Sequence, residues 1–340
     1  METLRIGIIG TGRMGMIHAR NFREFVPYAK VVSFCDIAAE SCQAACKEFG
    51  IQRYYLDYRE MLKRDELDAV VVATPVASHC DIVIEAAQRK KHIFCEKPMA
   101  MDGAQCEKMR QAVAEHNVIF LLAFVKRFDK SHRLAKEVIH SGEIGEVVMV
   151  KASSRTPGFP KPWQYDVSIS NGLLSELSCH DIDAMRWFAG AEFQSVYAIA
   201  GNYRSPDVRE KFPDYYDTVA VLAEFYNNVQ GLMDGAFSVQ YGYDSKIEIL
   251  GTKGCIQIGN IHDDCMVKYT KAGGESRGTV KSWKDVYRDA FIEAAKHFYE
   301  CVRKGKSPKA TAYDGEMALQ AVDACYRSLR EKSKIKMPIE

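Results

Sequence analysis

No uncharged apolar run in the sequence approaches the length of a membrane span, which argues against a helix crossing a bilayer. Charge of one sign is missing as well: 46 Lys and Arg against 45 Asp and Glu leave a formal +1 at pH 7. Such a balance offers neither the basic surface nucleic acid requires nor an attraction to acidic membranes. There is no C-x-x-C pair, and the eleven cysteines are odd in number and scattered, so neither a disulfide framework nor a zinc or other metal site is indicated. Buried free thiols in a reducing cytoplasm are the plainer expectation. No basic, apolar leader precedes the first strand-like run, so no signal peptide is expected, and there is no internal repeat or low-complexity segment. The 340 residues suit two domains with sizeable cores.

What is present begins at the N-terminus. The apolar run Ile6 to Ile9 ends in Gly10-x-Gly12-x-x-Gly15, and a helix-like segment, Met14 to Phe25, follows. This is the pattern of a strand turning sharply into a helix. Gly10 permits the turn, Gly12 lets a pyrophosphate approach the backbone, and Gly15 lets helix and strand pack closely. Glycines also mark ordinary loops, so the continuation matters. Val31 to Cys35 reads as a second strand and ends in Asp36, about twenty residues after Gly15, where the ribose-binding acid of a dinucleotide fold belongs. An acid there accepts hydrogen bonds from ribose hydroxyls. It repels a 2′-phosphate by up to ~4 kcal/mol for unit charges at an effective dielectric of ~20. The expected cofactor is NAD rather than NADP.

Further along, helix candidates at Ala38–Phe49, Tyr58–Leu62, Cys80–Arg89 and Asp102–His116 alternate with strand candidates at Asp68–Ala73, His92–Cys95 and Val118–Phe124. The β-branched run Val70-Val71-Val72 suits a parallel strand buried on both faces. This alternation predicts a doubly wound parallel sheet. The rhythm then changes. After a helix candidate at His132–Ser141 come strand-like runs at Val147–Ser153, Ser195–Ala200, Thr218–Phe225, Val229–Phe237, Lys246–Leu250 and Cys255–Ile258. One helix candidate, Asp181–Phe188, interrupts them, and helices at Asp285–Arg303 and Asp314–Lys332 close the chain. This is an α+β pattern with a large, mostly antiparallel open sheet. The domains are expected at 1–123 and 124–340.

Two constellations could carry chemistry. Thr74-Pro75 and Glu96-Lys97-Pro98 lie at the carboxyl ends of strands, where ligands of open α/β sheets collect. A lysine there can bond a substrate hydroxyl, or be an exposed charge at a strand end; position alone leaves both open. In Ser175-Glu176-Leu177-Ser178-Cys179-His180, a helix would put Glu176 and His180 one turn apart on one face. A carboxylate beside an imidazole sets its tautomer and supports a base working near neutral pH. A capped helix start with a satisfied histidine has the same spacing.

These residues, with Ala73-Thr74-Pro75 and His79, Lys126-Arg127-Phe128-Asp129, Ser141-Gly142-Glu143-Ile144-Gly145, His180-Asp181-Ile182-Asp183 before Arg186-Trp187, and Asp314-Gly315, occur in one order over nearly the whole chain. In that order the chain resembles the glucose–fructose oxidoreductase, inositol 2-dehydrogenase and rhizopine-catabolism (Gfo/Idh/MocA) family. Ser154-Arg155 brings it nearest in flavour to inositol 2-dehydrogenase. The resemblance implies an N-terminal Rossmann domain and an α+β domain for substrate and oligomerisation. It implies an NAD-dependent dehydrogenase converting a secondary hydroxyl of a cyclic polyol or sugar to a ketone. The implied catalytic set is Lys97, Glu176 and His180: His180 accepts the hydroxyl proton, Lys97 steadies the oxygen, Glu176 orients His180. The implied cofactor contacts are Gly10, Gly12, Arg13, Met14, Gly15, Asp36, Thr74, Pro75, His79, Glu96 and Lys97. Substrate contacts are expected from Arg127 and Arg155 beside the catalytic set, and a homo-oligomer, dimer or tetramer, through the open sheet. Trp163, in the proline- and aromatic-rich loop Pro157–Trp163, is a further candidate contact that could stack on a sugar face or equally pack between domains.

Three departures stand out. Glu176 replaces the family's usual Asp, Val76 its Asn after Thr-Pro, and Thr156 the Asp that commonly follows Ser-Arg in inositol dehydrogenases. They bear more on inositol itself than on a polyol or sugar. The alternatives are an enzyme acting on a glycoside or deoxysugar with tightly held, recycled NAD(H), and a nicotinamide-binding regulator without catalysis. Retention of Lys97 and His180 speaks against the regulator.

Overall fold

The computed structural model describes residues 2–64, 66–271 and 274–338. They form two compact units: residues 1–128 with 289–319, and residues 129–288 with 320–340.

The first unit is built on six strands, β1 (Leu4–Ile9), β2 (Ala29–Cys35), β3 (Tyr54–Tyr55), β4 (Ala69–Val72), β5 (His92–Cys95) and β6 (Phe120–Leu122), in the order β3-β2-β1-β4-β5-β6. Every pairing is parallel, and β4 is fully buried, as its β-branched run requires. The strand order reverses between β1 and β4, the switch point where such sheets bind ligands. The helices Arg13–Phe25, Ala39–Phe49, His79–Gln88 and Gly103–Glu115 fall within a residue or two of expectation.

A linear boundary near Phe124 lies close to the end of the first segment, but it hides a return of the chain. Residues 289–319 pack with the first unit because their aromatic side chains complete its core. Phe298 meets Phe22 and Phe94 edge-on at ring-centroid distances of 6.1 and 5.7 Å, a favoured aromatic geometry.

The second unit carries β7 (Val147–Arg155), β8 (Phe193–Gly201), β9 (Thr218–Phe225), β10 (Gln230–Ala236), β11 (Asp244–Gly251), β12 (Cys255–Ile258), β13 (His262–Thr270), β14 (Gly274–Thr279) and β15 (Ile335–Lys336). Seven form one sheet in the order β12-β11-β7-β10-β9-β8-β15. It is antiparallel except where β7 and β10 run parallel. The hairpin β13–β14, which no alternating pattern announces, pairs among the described residues with itself alone. Alternation along β9 buries Val219, Val221, Ala223 and Phe225 and exposes Ala220, Leu222 and Glu224. The helix Cys179–Ala189 covers the buried face so closely that a Cβ on Gly231 would lie 2.7 Å from Met185. The other face is open and includes Ile199, Leu222, Leu232 and Leu250. Ten cysteines are free thiols, all buried except Cys255, and among the described residues no helix is long and apolar enough to cross a membrane.

Candidate functional site

The three glycines after β1 have distinct duties. Gly10 has φ +95°, and a Cβ there would sit 2.5 Å from the Ala73 carbonyl oxygen. A Cβ on Gly15 would overlap the carbonyl oxygen of Gly10. A Cβ on Gly12 would meet nothing within 4 Å, so the open side of the turn lies there. The helix Arg13–Phe25 starts at Gly12 without a side-chain cap, which leaves its first amides to an anion. Arg13 is exposed and Met14 half-buried beside them. Asp36, at the end of β2, is half-buried. Its Oδ2 accepts the Thr11 amide at 2.8 Å and the Thr11 hydroxyl at 2.9 Å, while Oδ1 accepts from Ala38 N at 3.1 Å. One carboxylate thus fastens the glycine turn as well as facing the ribose position. The residues fit a dinucleotide: open glycine, uncapped helix start and acid at the second strand.

Asp36→Ala is therefore expected to weaken NAD binding and to narrow the preference for NAD over NADP, since it removes both the ribose acceptor and the like charge. Comparison of kcat/KM for the two cofactors in variant and parent checks this. A parent enzyme preferring NADP would contradict the assignment of Asp36.

Thr74 and Pro75 follow β4, and Glu96 and Lys97 follow β5. His79 is 1% exposed, and its two ring nitrogens each lie 2.9 Å from a carbonyl oxygen, of Pro98 and of Thr74. Burial pushes this imidazole below its ordinary pKa, against the two carbonyls that favour the charged form. His79 therefore ties the two strand-end loops together. Glu96 is likewise buried: Oε1 bonds His18 Nε2 at 2.6 Å, and Oε2 accepts the Lys97 amide at 3.1 Å. Burial raises this carboxyl, but His18 and the Lys97 charge and amide outweigh it and hold it below the usual range. His18 lies within 4.7 Å of the Phe94 ring, ring to ring. His79 and Glu96, expected as cofactor contacts, have their polar atoms engaged in fastening the loop that presents Lys97. Lys97 itself is half-buried at the tip. Nothing in the sequence marks His18 as Glu96's partner; its only signal is a histidine one turn after Gly15.

Arg127 also has a different place from that expected of a substrate contact. It is 6% exposed and donates to Asp314 Oδ1 at 2.7 Å and to the Lys309 carbonyl at 2.6 Å. It clamps the turn Val125–Phe128 to the returning segment of the first unit.

In the second unit, residues 172–189 are helical throughout, with one wider π turn at Leu174–Ser178 running into the helix Cys179–Ala189. Such turns recur at functional sites. Leu173, Leu174, Ser175, Ser178 and Cys179 are buried, whereas Glu176 and His180 are half-exposed on a common strip. Glu176 Oε2 accepts from Gln164 Nε2 at 3.4 Å. Trp163, beside Gln164 in the turn Pro162–Tyr165, is 41% exposed. Arg155 does not join this group. Gly235 and its register partner Ser154 face the helix, with a Gly235 Cβ 2.6 Å from Ser178 Oγ. Alternation puts Arg155 on the opposite face, where it forks onto Asp234 at 2.6 and 3.0 Å. The guanidinium expected as a substrate contact is thus held by Asp234.

A sequence profile of an oxidoreductase family's NAD-binding Rossmann fold matches residues 4–124, and that of the family's C-terminal alpha/beta domain matches residues 136–337. The chain is 31% identical over 334 residues to a myo-inositol 2-dehydrogenase of Thermotoga maritima, covering 98% of each chain. It is 31% identical over 337 residues to a scyllo-inositol 2-dehydrogenase (NAD(+)) of Bacillus subtilis, covering 99% of this chain and 97% of that one. The crystal structure of scyllo-inositol dehydrogenase from Lactobacillus casei with bound NAD(H) and scyllo-inositol is similar at a TM-score of 0.90 and 27% identity, covering 98% of this chain and 99% of that one. With both domains matched and the glycine turn built for a dinucleotide, the chain belongs to the Gfo/Idh/MocA family of NAD-binding oxidoreductases.

Proposed function

We propose that the protein oxidises a secondary hydroxyl of a cyclic polyol or sugar to a ketone, as an NAD-dependent dehydrogenase of the inositol 2-dehydrogenase kind. The observation that carries this is the accessible Glu176–His180 strip on a buried helix, in a chain that also holds Lys97 at a strand end. His180 takes the hydroxyl proton, and Glu176 orients it and balances the charge it gains. Lys97 bonds the hydroxyl oxygen and steadies its developing negative charge. The nicotinamide, when bound, accepts the hydride from the substrate carbon. Trp163 offers an exposed aromatic face to an apolar sugar face. A panel of inositol isomers, sugars and glycosides followed at the NADH absorption band tests the activity. NADH formation with a cyclic polyol supports it; a panel silent throughout, with NAD still bound, favours a regulator.

Residues 1–123 hold the cofactor in this scheme, with 289–319 packed on the same unit, and the remaining chain supplies substrate contacts and self-association. The open sheet face, with Ile199 at 59% and Leu222 at 56% exposure, is an apolar surface that a second copy of the chain would cover. A dimer or tetramer is expected by light scattering at micromolar concentration, and a monomer there would refute it. Nine buried free thiols support a reducing compartment such as the cytoplasm.

A further inference from the structure

We propose that Gln164 is a positioning residue for Glu176, holding the longer acid of this chain in the place where it serves His180. This rests on the proposed roles of Glu176 and His180.

The direction of the Gln164 amide is decided by its surroundings rather than assumed. Its Oε1 accepts the Lys161 amide at 2.8 Å, so its NH₂ must be the end that meets Glu176 Oε2 at 3.4 Å. The residue itself is fixed from three sides. Its backbone amide donates to the Lys161 carbonyl at 2.8 Å, and its carbonyl accepts from the fully buried Ser170 hydroxyl at 3.1 Å. The next residue, Tyr165, meets Tyr215 edge-on at 4.9 Å and stacks on Phe212 at 6.1 Å. The turn is therefore a rigid arm, not a loose loop, and it carries a neutral donor to the carboxylate.

A glutamate has one more rotatable bond than the aspartate usual in this family, and that freedom must be lost if its carboxylate is to stay in one place. A donor on one oxygen restricts the side chain while leaving the other oxygen outside that bond. Being uncharged, an amide does this without the neutralisation a lysine or arginine would bring, so the carboxylate keeps its charge for the imidazole. Arm and acid act as a pair: the shorter acid would not reach the arm.

Gln164→Met keeps the length of the side chain and removes the donor. It is expected to lower kcat by roughly tenfold, below the ~10²–10⁴ of removing an acid–base group outright because Glu176 and His180 are both still present, with KM for the polyol changed less than about threefold. The acid limb of the kcat/KM–pH profile should move to lower pH, in the direction of Glu176→Gln, because a wandering carboxylate supports the protonated base less well. In a Glu176→Asp background Gln164→Met should have no further effect on kcat, since the shortened acid has already left the arm. An unmoved limb with only a lower Tm or a higher KM would overturn the inference, as would full additivity with Glu176→Asp. If Glu176→Gln itself leaves the limb in place, the catalytic role of Glu176 fails, and with it the inference. If Glu176→Gln moves the limb and Gln164→Met does not, the inference alone fails.

Discussion

Lys97→Ala and His180→Ala are each expected to lower turnover by ~10²–10⁴, the usual worth of a positioned acid–base group. Lys97→Ala removes a charge that helps hold Glu96 ionised, but not the bonds that fasten its loop. The Glu96 carboxylate holds the Lys97 loop through the backbone amide and His18, and truncating the lysine side chain touches neither bond. His180 is half-exposed on a helix whose packing is carried by its buried neighbours Ser178 and Cys179, and alanine is a good helix former. NAD affinity should stay nearly unchanged in both variants, because the groups that fit the pyrophosphate and adenosine ribose are at Gly10–Gly15 and Asp36. Steady-state turnover with the best substrate, alongside NAD binding by calorimetry, separates the two effects. Full turnover in either variant would remove that residue from the mechanism, and full turnover in both would leave the proposed catalytic set without support.

The second large effect is expected at Gly15. An alanine methyl there overlaps the Gly10 carbonyl oxygen and comes within 3.3 Å of the Ile8 side chain. The first of these is backbone, held by the Gly10 amide's bond to the Cys35 carbonyl at 2.8 Å, so it cannot give way as a side-chain tip would. Gly15→Ala should therefore cost at least the ~1–3 kcal/mol of ordinary overpacking and reopen the turn that receives the pyrophosphate. NAD binding should fall by a hundredfold or more, about 2.8 kcal/mol or greater at 1.4 kcal/mol per decade. Gly12→Ala is the control. Its methyl meets no protein atom within 4 Å, so the fold should keep its Tm while NAD binding weakens. Thermal melting and NAD titration of the two variants check the contrast. Equal Tm loss in both would mean that Gly12 is not the open side of the turn.

The glycine turn shows why the cofactor half is legible in the sequence. Strand, turn, helix and second strand occupy the first 36 residues, and the distance from Gly15 to Asp36 is set by the length of one helix and one strand. Several helix ends in the first unit are marked locally, by Asp57 and Asp102 accepting at helix starts and Gly50 in the left-handed region at a helix end. The hairpin β13–β14 had no such marks, and among the described residues neither strand joins the large sheet.

The sequence by itself determined the parallel nucleotide-binding sheet, the preference for NAD, the change to a mostly antiparallel second half, and the candidate pair Glu176 and His180. These depend on periodicity and spacing within a few dozen residues, which sterics and hydrogen bonding translate directly into local structure. Only the tertiary structure decided what the charged side chains do. Glu96 meets His18 across 78 positions, Arg127 meets Asp314 across 187, and Arg155 meets Asp234 across 79. It decided, too, that residues 289–319 return to the first unit, through the ring of Phe298 against Phe22 and Phe94, which no local pattern could pair. A charge buried at such a contact must be paired, because desolvation without a partner costs several kcal/mol. Which partner it finds depends on strand register and on which face a residue occupies, and both are properties of the assembled sheet.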